Sequence, residues 1–308
     1  MLTRDNFTGP WAGLPVAWTD DDQFDEETYR ADVARCCEAG IPGVYTAGTS
    51  GEFYAAEFDE WHAIARATVE ECHAGSPPAM IGCSSTYTRG AVLRAAAAAE
   101  LGADAVQVAL PFWMETADDQ VVPFFAEVAA AVGDLPLSIY ETSRAKKLLT
   151  LDQHRAVKEA VPTYLMVKST AGIGTTPEGC RSLAEIVNVF VGEGLWPTLG
   201  PCGATGCCSA MVYWNPRLVL AMWELLQQQD WEGLQKACAP ADALHTFLGE
   251  RYAPHGFTDT AYDRMGGRAT GFLKTSLRNR APYIAPTEQD VEDWRQWCRE
   301  NFPEMLKL

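Results

Sequence analysis

Eight short apolar runs, most of them followed by a longer amphipathic segment, predict an α/β fold: a (β/α)8 TIM barrel with a C-terminal α-helical extension. Runs rich in Val, Ile, Leu and Ala, with little polar alternation, belong to parallel strands buried on both faces. Eight such units within roughly 230 residues match the size of a closed barrel. An open doubly wound sheet would call for a GxGxxG turn after the first strand. The residues after Thr19 are instead Asp20-Asp21-Asp22, whose carboxylates repel a pyrophosphate.

The elements follow in order. The first strand is expected over 14–19 and a helix over 26–38. The second strand covers 43–47, ends in Gly48-Thr49-Ser50-Gly51-Glu52, and is followed by a helix over 59–74. Strand three is 79–83 and the Ala-rich helix three is 91–101. The fourth pair is 105–109 with 121–132, the fifth 137–140 with 151–160, and the sixth 164–168 with 177–186. Strands seven and eight are read at 188–191 and 204–210, and a helix at 216–229 closes the barrel domain, residues 1–230. Helical patterns at 231–250, 269–278 and 288–300 form the extension, residues 231–308. No repeat, low-complexity stretch or linker separates independent domains.

Composition excludes several classes of function. With 47% hydrophobic and 21% charged residues in 308, the chain has material for a full core and no disorder signature. Its 41 acidic against 24 basic residues give a net charge of −17. That field repels phosphate backbones and anionic lipid heads, so neither nucleic acid nor membrane is an expected partner. The ten cysteines include the adjacent pairs Cys36-Cys37 and Cys207-Cys208 and form no CxxC. They read as reduced, mostly buried thiols. Residues 1–10 lack the basic and apolar regions of a leader, and no run of eighteen apolar residues occurs. A cytoplasmic protein is expected. The five histidines fall in helical or tail segments without an HxH pattern, so a metal-dependent barrel is disfavoured and no metal or cofactor is called for. Gly172-Ile173-Gly174 and residues 200–206 could form a phosphate nest, but close packing of small residues explains them equally well.

In a TIM barrel the chemistry sits at the C-terminal ends of the strands. Lys168 ends strand six after Leu165-Met166-Val167, an apolar run that keeps water from its ammonium. A free lysine titrates near ~10.4, whereas an amine nucleophile needs a value of about 7–8, and desolvation moves lysine in that direction. The neutral amine can attack a ketone to give an iminium, an electron sink for carbanion chemistry at the adjacent carbon. A lysine snorkelling from a strand end is the plain alternative. Tyr140 ends strand five, expected about 4.8 Å away, where a phenol can pass protons to and from a carbinolamine. In Gly48-Thr49-Ser50-Gly51, two glycines bracket two hydroxyl residues. The turn's N–H groups can form a carboxylate nest, and the Thr49 and Ser50 hydroxyls can add hydrogen bonds or extend a proton path.

These residues resemble the pyruvate-dependent Schiff-base family of dihydrodipicolinate synthase and N-acetylneuraminate lyase. Gly48-Thr49-Ser50-Gly51-Glu52 is similar to that family's GTTGE/GSTGE turn, Ile139-Tyr140 to its strand-five tyrosine, and Lys168 to its imine-forming lysine. Lys168-Ser169-Thr170-Ala171-Gly172 resembles the lyase branch's K-x-T-x-G, and Gly192 and residues 203–209 resemble its later signatures. The resemblance runs essentially the whole length of the chain. It implies a lyase acting on pyruvate or another 2-keto acid by aldol cleavage, condensation or dehydration. Lys168, Tyr140 and Ser50 would be catalytic, and Gly48, Thr49, Ser50, Thr170, Gly192, Arg144 and Trp113 would bind substrate. It also implies a homotetramer. Two departures bear on substrate: Pro111-Phe112-Trp113 replaces the synthases' Pro-Tyr-Tyr, and Glu141-Thr142-Ser143-Arg144 replaces Asn-x-Pro-x-Arg. Tryptophan has no hydroxyl to relay a proton, which points away from dihydrodipicolinate synthase proper and towards other aldolases or dehydratases. A non-catalytic keto-acid-binding barrel is the alternative from another class.

Overall fold

In the computed structural model, which describes residues 1–308, eight strands close into a barrel in the order β1 to β8. They are β1 (Gly9–Gly13), β2 (Gly43–Thr46), β3 (Ala79–Gly82), β4 (Ala105–Val108), β5 (Leu137–Glu141), β6 (Tyr164–Ser169), β7 (Asn188–Phe190) and β8 (Ala204–Cys208). The helices between them are α1 (Glu26–Glu38), α2 (Phe58–Gly75), α3 (Thr88–Glu100), α4 (Asp118–Ala130), α5 (Leu151–Ala160), α6 (Pro177–Ala184) and the single turn α7 (Trp196–Leu199). After β8 come α8 (Met211–Trp214), α9 (Pro216–Gln227), α10 (Trp231–Tyr252), α11 (Asp259–Thr270) and α12 (Glu288–Asn301). The fold is a TIM barrel with C-terminal helices, as the spacing of apolar runs predicts. The hydrogen-bonded strand pairs are parallel, and their residues are almost entirely buried.

Two elements lie elsewhere than the sequence suggests. The first strand is Gly9–Gly13, not 14–19. Its Gly-Pro start imitates a turn, yet Trp11, Ala12 and Gly13 pair with Gly43, Val44 and Tyr45. Packing decides this: Trp11 is wholly buried, and a Cβ on Gly43 would come within 2.5 Å of its ring. Residues 14–17 are just as apolar and buried, but after Leu14, whose N–H still donates to Tyr45 O at 3.2 Å, they lie outside the ladder. The helix expected at 269–278 is Asp259–Thr270 instead, closed by Gly271 in the left-handed region at φ 80°. Gly266 and Gly267 lower local helix propensity and hide this helix from a sequence reading. At Gly266 a Cβ would fall 2.2 Å from the Trp214 ring, so the missing side chain is what admits that indole. The segment after α11 is not helical, and the Asp32 carboxylate holds it, accepting from Lys274 N at 2.8 Å and Thr275 N at 2.9 Å. The strand expected at 204–210 ends at Cys208. Other bounds agree to within a few residues.

The chain divides into two compact units, residues 1–9 with 78–208 and residues 10–77 with 209–308. In the first, Asn188 ties β7 to the N-terminal segment by donating to Arg4 O at 2.7 Å and Phe7 O at 2.8 Å. In the second, α1 packs on α2, and the Tyr29 hydroxyl bonds Thr46 at 2.7 Å and Thr68 at 2.8 Å. Burial raises that phenol well above its ordinary range. All ten cysteines are free thiols and nine of them are buried. No helix is long and apolar enough to cross a membrane.

Gly206 is required by close approach: an added Cβ would lie 2.5 Å from Gly9 O and 2.6 Å from the Phe190 ring. Since one of those atoms is backbone, Gly206→Ala is expected to cost about 2–3 kcal/mol. Chemical denaturation should show this as a lower midpoint with an unchanged slope.

Candidate active site

Tyr140 and Lys168 are registered partners on β5 and β6, and Lys168 Nζ lies 4.3 Å from the centre of the Tyr140 ring. An irregularity low in the two strands sets this pairing. Leu137 faces Tyr164, but Ser138 faces Met166, so Leu165 is an extra residue on β6. Without that bulge Tyr140 would face Val167, and the lysine would be one position out of step. Alternation gives the direction of the pair. The next partners, Glu141 and Ser169, meet each other at 2.9 Å, and Glu141 approaches His154 of α5, which covers the outside of the sheet. Tyr140 and Lys168 therefore face the barrel interior. They stand above a lower interior layer in which Gln107 donates to Ser138 at 3.0 Å and Ser138 meets Met166 at 3.3 Å. Tyr140 is 7% exposed and Lys168 is half-buried. The Lys168 charge also reaches Cys208 at the end of β8, where it opposes the desolvation that pushes the thiol up to about 11.

Glu141 is a structural residue that the sequence presents only as a departure from a motif. Its buried carboxylate accepts from Ser169 Oγ at 2.9 Å and Leu149 N at 3.0 Å, with His154 Nε2 at 3.5 Å. The other ring nitrogen, Nδ1, bonds the Tyr164 hydroxyl at 2.9 Å. The phenol of Tyr164 is held well above its ordinary range, by burial first and then by the Glu141 charge. The main-chain oxygen of Glu141 accepts from Thr170 N at 3.0 Å and Thr170 Oγ1 at 3.2 Å. Gly172, at φ 80°, keeps open the space beside this carboxylate, since a Cβ there would come within 3.0 Å of it. The ends of β5 and β6 are thus fastened together immediately beyond the Tyr140–Lys168 pair.

The turn after β2 is rigid for a different reason. Gly48 has no side chain because a Cβ would lie 2.2 Å from the Tyr45 hydroxyl, and one on Gly51 would strike Ala47 N at 2.6 Å. Ala47 and Glu52, on either side, are non-glycine residues in the left-handed region, at φ 54° and 47°. Buried Glu52 holds the end of the turn: it accepts from Trp18 Nε1 at 2.8 Å and from the wholly buried guanidinium of Arg264. Arg264 also donates to Asn279 at 2.8 Å and Thr275 at 3.1 Å, which satisfies much of its fork. Thr49 and Ser50 are half-buried in the middle of this turn.

The remaining candidates lie on more open ground. Thr170 is exposed beside Glu141, Gly192 is exposed after β7, and Arg144 is exposed on a tight turn after β5. Trp113 is 72% exposed on the loop after β4, where Lys146 donates to its carbonyl at 2.6 Å and lies 5.7 Å from its ring. No group of three or more His, Cys, Asp or Glu side chains is placed to hold a metal ion.

Fold and pair together define a class: a TIM-barrel protein that presents an amine and a phenol side by side inside the barrel. The description of the dihydrodipicolinate synthetase family matches residues 6–275. A 4-hydroxy-tetrahydrodipicolinate synthase of Natronomonas pharaonis is 30% identical over 227 residues, 72% of this chain and 75% of that protein. A DapA-like lyase of Halobacterium salinarum is 29% identical over 219 residues, 70% of this chain and 71% of that protein. Among solved structures, a catalytic lysine mutant of the Ruminococcus gnavus sialic acid aldolase superposes with a TM-score of 0.87 at 14% identity. It covers 99% of this chain and 100% of its own, a likeness of fold. The chain belongs to the dihydrodipicolinate synthetase family, and it is a lyase.

Removing the Glu141 carboxylate strands the buried Ser169 hydroxyl and Leu149 N–H. Glu141→Ala should therefore lower stability by about 3 kcal/mol, measured by denaturant titration. Glu141→Gln, which keeps one acceptor oxygen, should lose clearly less.

Proposed function

We propose that this lyase forms an imine between Lys168 and pyruvate or a related 2-keto acid, then makes or breaks a carbon–carbon or carbon–oxygen bond beside it. The observation that carries the reading is the registered Tyr140–Lys168 pair, the phenol buried and the lysine half-buried, with the amine over the phenol ring. In this reading the uncharged amine adds to the keto carbon. Tyr140 moves protons as the carbinolamine loses water, and the iminium withdraws electrons from the adjacent carbon. The turn at Gly48, Thr49 and Ser50 binds the keto-acid carboxylate through its N–H groups and hydroxyls, and Ser50 also carries protons. Thr170, Gly192, Arg144 and Trp113 contact the variable part of the substrate. A homotetramer is part of the same reading. A cytoplasmic location is supported by the ten free thiols, which suit a reducing compartment.

The test is reductive trapping. With pyruvate and borohydride the protein should gain a stable secondary amine on Lys168, located by peptide mass mapping, and Lys168→Ala should gain none. Tyr140→Phe should still fold and slow turnover by roughly 10²–10⁴-fold on an aldehyde or 3-deoxy-2-keto acid that the wild type accepts. Full rate in Tyr140→Phe would remove the phenol from the mechanism.

A further inference from the structure

Immediately beyond the Tyr140–Lys168 pair, a carboxylate is buried where an apolar residue would close the space at less cost. Glu141 is 2% exposed, and its partners are a hydroxyl, a main-chain N–H and an imidazole, not a lysine or arginine. A buried carboxylate without such a cation carries a large desolvation cost, and each hydrogen bond offsets only part of it. The places from which its partners come show what the charge secures. Ser169 Oγ, at 2.9 Å, belongs to the residue that follows Lys168, just as Glu141 follows Tyr140. Leu149 N, at 3.0 Å, closes the loop after β5 onto the same carboxylate. The loop after β6 is shaped to lie over both side chains. A Cβ on Gly172 would come within 3.0 Å of the Glu141 carboxylate, and one on Gly174 would fall 2.1 Å from Ser169 Oγ. The spacing of Gly172-Ile173-Gly174 therefore has its reason in this contact and not in a phosphate.

We propose that Glu141 and Ser169 are positioning residues for the imine-forming pair, a clamp on the outer face of the sheet that sets how Lys168 Nζ meets Tyr140 on the inner face. This rests on the imine reading above. Side chains alternate along a strand, so clamp and pair point to opposite faces and act on each other through the backbone of the two strand ends. Thr170 adds to the tie, donating from N and Oγ1 to Glu141 O at 3.0 and 3.2 Å. Three consecutive residues, Lys168, Ser169 and Thr170, are thereby set against the end of β5. The step that depends on this is addition of the amine. The nitrogen lone pair of Lys168 forms the bond to the keto carbon and the carbonyl π pair moves to oxygen. The proton lost by nitrogen reaches that oxygen through Tyr140. Amine and phenol must be in place together, and a displacement of about 1 Å costs on the order of 10²-fold in such a step. Strand ends joined by ladder bonds alone fray into the loops that follow them. The clamp removes that freedom.

The probe is pyruvate, with borohydride added at set times, so that the rate of adduct formation is read against pyruvate concentration. End-point trapping counts the competent sites, and each rate is expressed per site. A brace that only stabilised the fold would lower the number of sites and leave the rate per site unchanged. Ser169→Ala should lower the limiting rate per site roughly 10–100-fold and leave the half-saturating pyruvate concentration unaltered. Glu141→Ala should slow it to a similar degree. Glu141→Gln should recover most of that loss, since its amide oxygen accepts from Leu149 N and its amide nitrogen donates to Ser169 Oγ. A wild-type rate per site in Ser169→Ala overturns the proposal. So does a rate in Glu141→Gln as low as that in Glu141→Ala, which would assign the effect to charge and not to position. Should Ser169→Ala fail to fold, Ser169→Cys, of similar shape and with a weak donor, is held to the same two outcomes. If the wild type gains no adduct, the imine reading itself is refuted and the proposal falls with it.

Discussion

The arrangement of this site depends on the register between β5 and β6. An extra residue at Leu165 advances β6 by one position, so that Lys168 and not Val167 stands beside Tyr140. The side-chain period of a strand is two, so a slip of one residue would turn the ammonium outward into the helical layer and leave a valine beside the phenol. Neither residue type nor strand propensity marks this position. The bulge is held because both outcomes it produces are favourable: Tyr140 and Lys168 inside, Glu141 and Ser169 paired outside.

Two buried carboxylates do comparable work in different parts of the chain. Glu141 fastens the ends of β5 and β6 through a serine hydroxyl, a main-chain N–H and a nearby imidazole. Glu52 fixes the far end of the turn after β2 through an indole and a guanidinium. Each follows directly on residues assigned a chemical role, and each is satisfied by several partners, the condition under which a buried charge stabilises a geometry and does not disrupt it. In a chain with a net charge of −17, these acids are distinguished by their surroundings and not by their type.

The apolar runs gave the barrel, its strand count and most element bounds, because burial on both faces forces a composition that short parallel strands cannot avoid. They misled at residues 9–19, where Trp11 needs a glycine opposite it and the equally apolar residues 15–17 are buried outside the strand ladder. They misled again at α11, whose Gly266 admits the Trp214 ring and whose Gly267 admits Leu273. In both places a contact between residues distant in sequence outweighed local preference. Glu141, legible only as a motif departure, has a role that appears once His154, Leu149 and Ser169 are in place around it.

From sequence alone came the fold class, the two strand-end residues Tyr140 and Lys168, the glycine-bracketed hydroxyl turn and the resemblance to a family, since each is carried by residue type, order and spacing. The tertiary structure alone decided that the amine lies over the phenol, that a bulge brings them into step, and that Glu52 at the end of the turn after β2 is held by Trp18 and Arg264. Those facts depend on registers and on contacts between residues up to hundreds of positions apart, and such contacts leave no periodic trace along the chain.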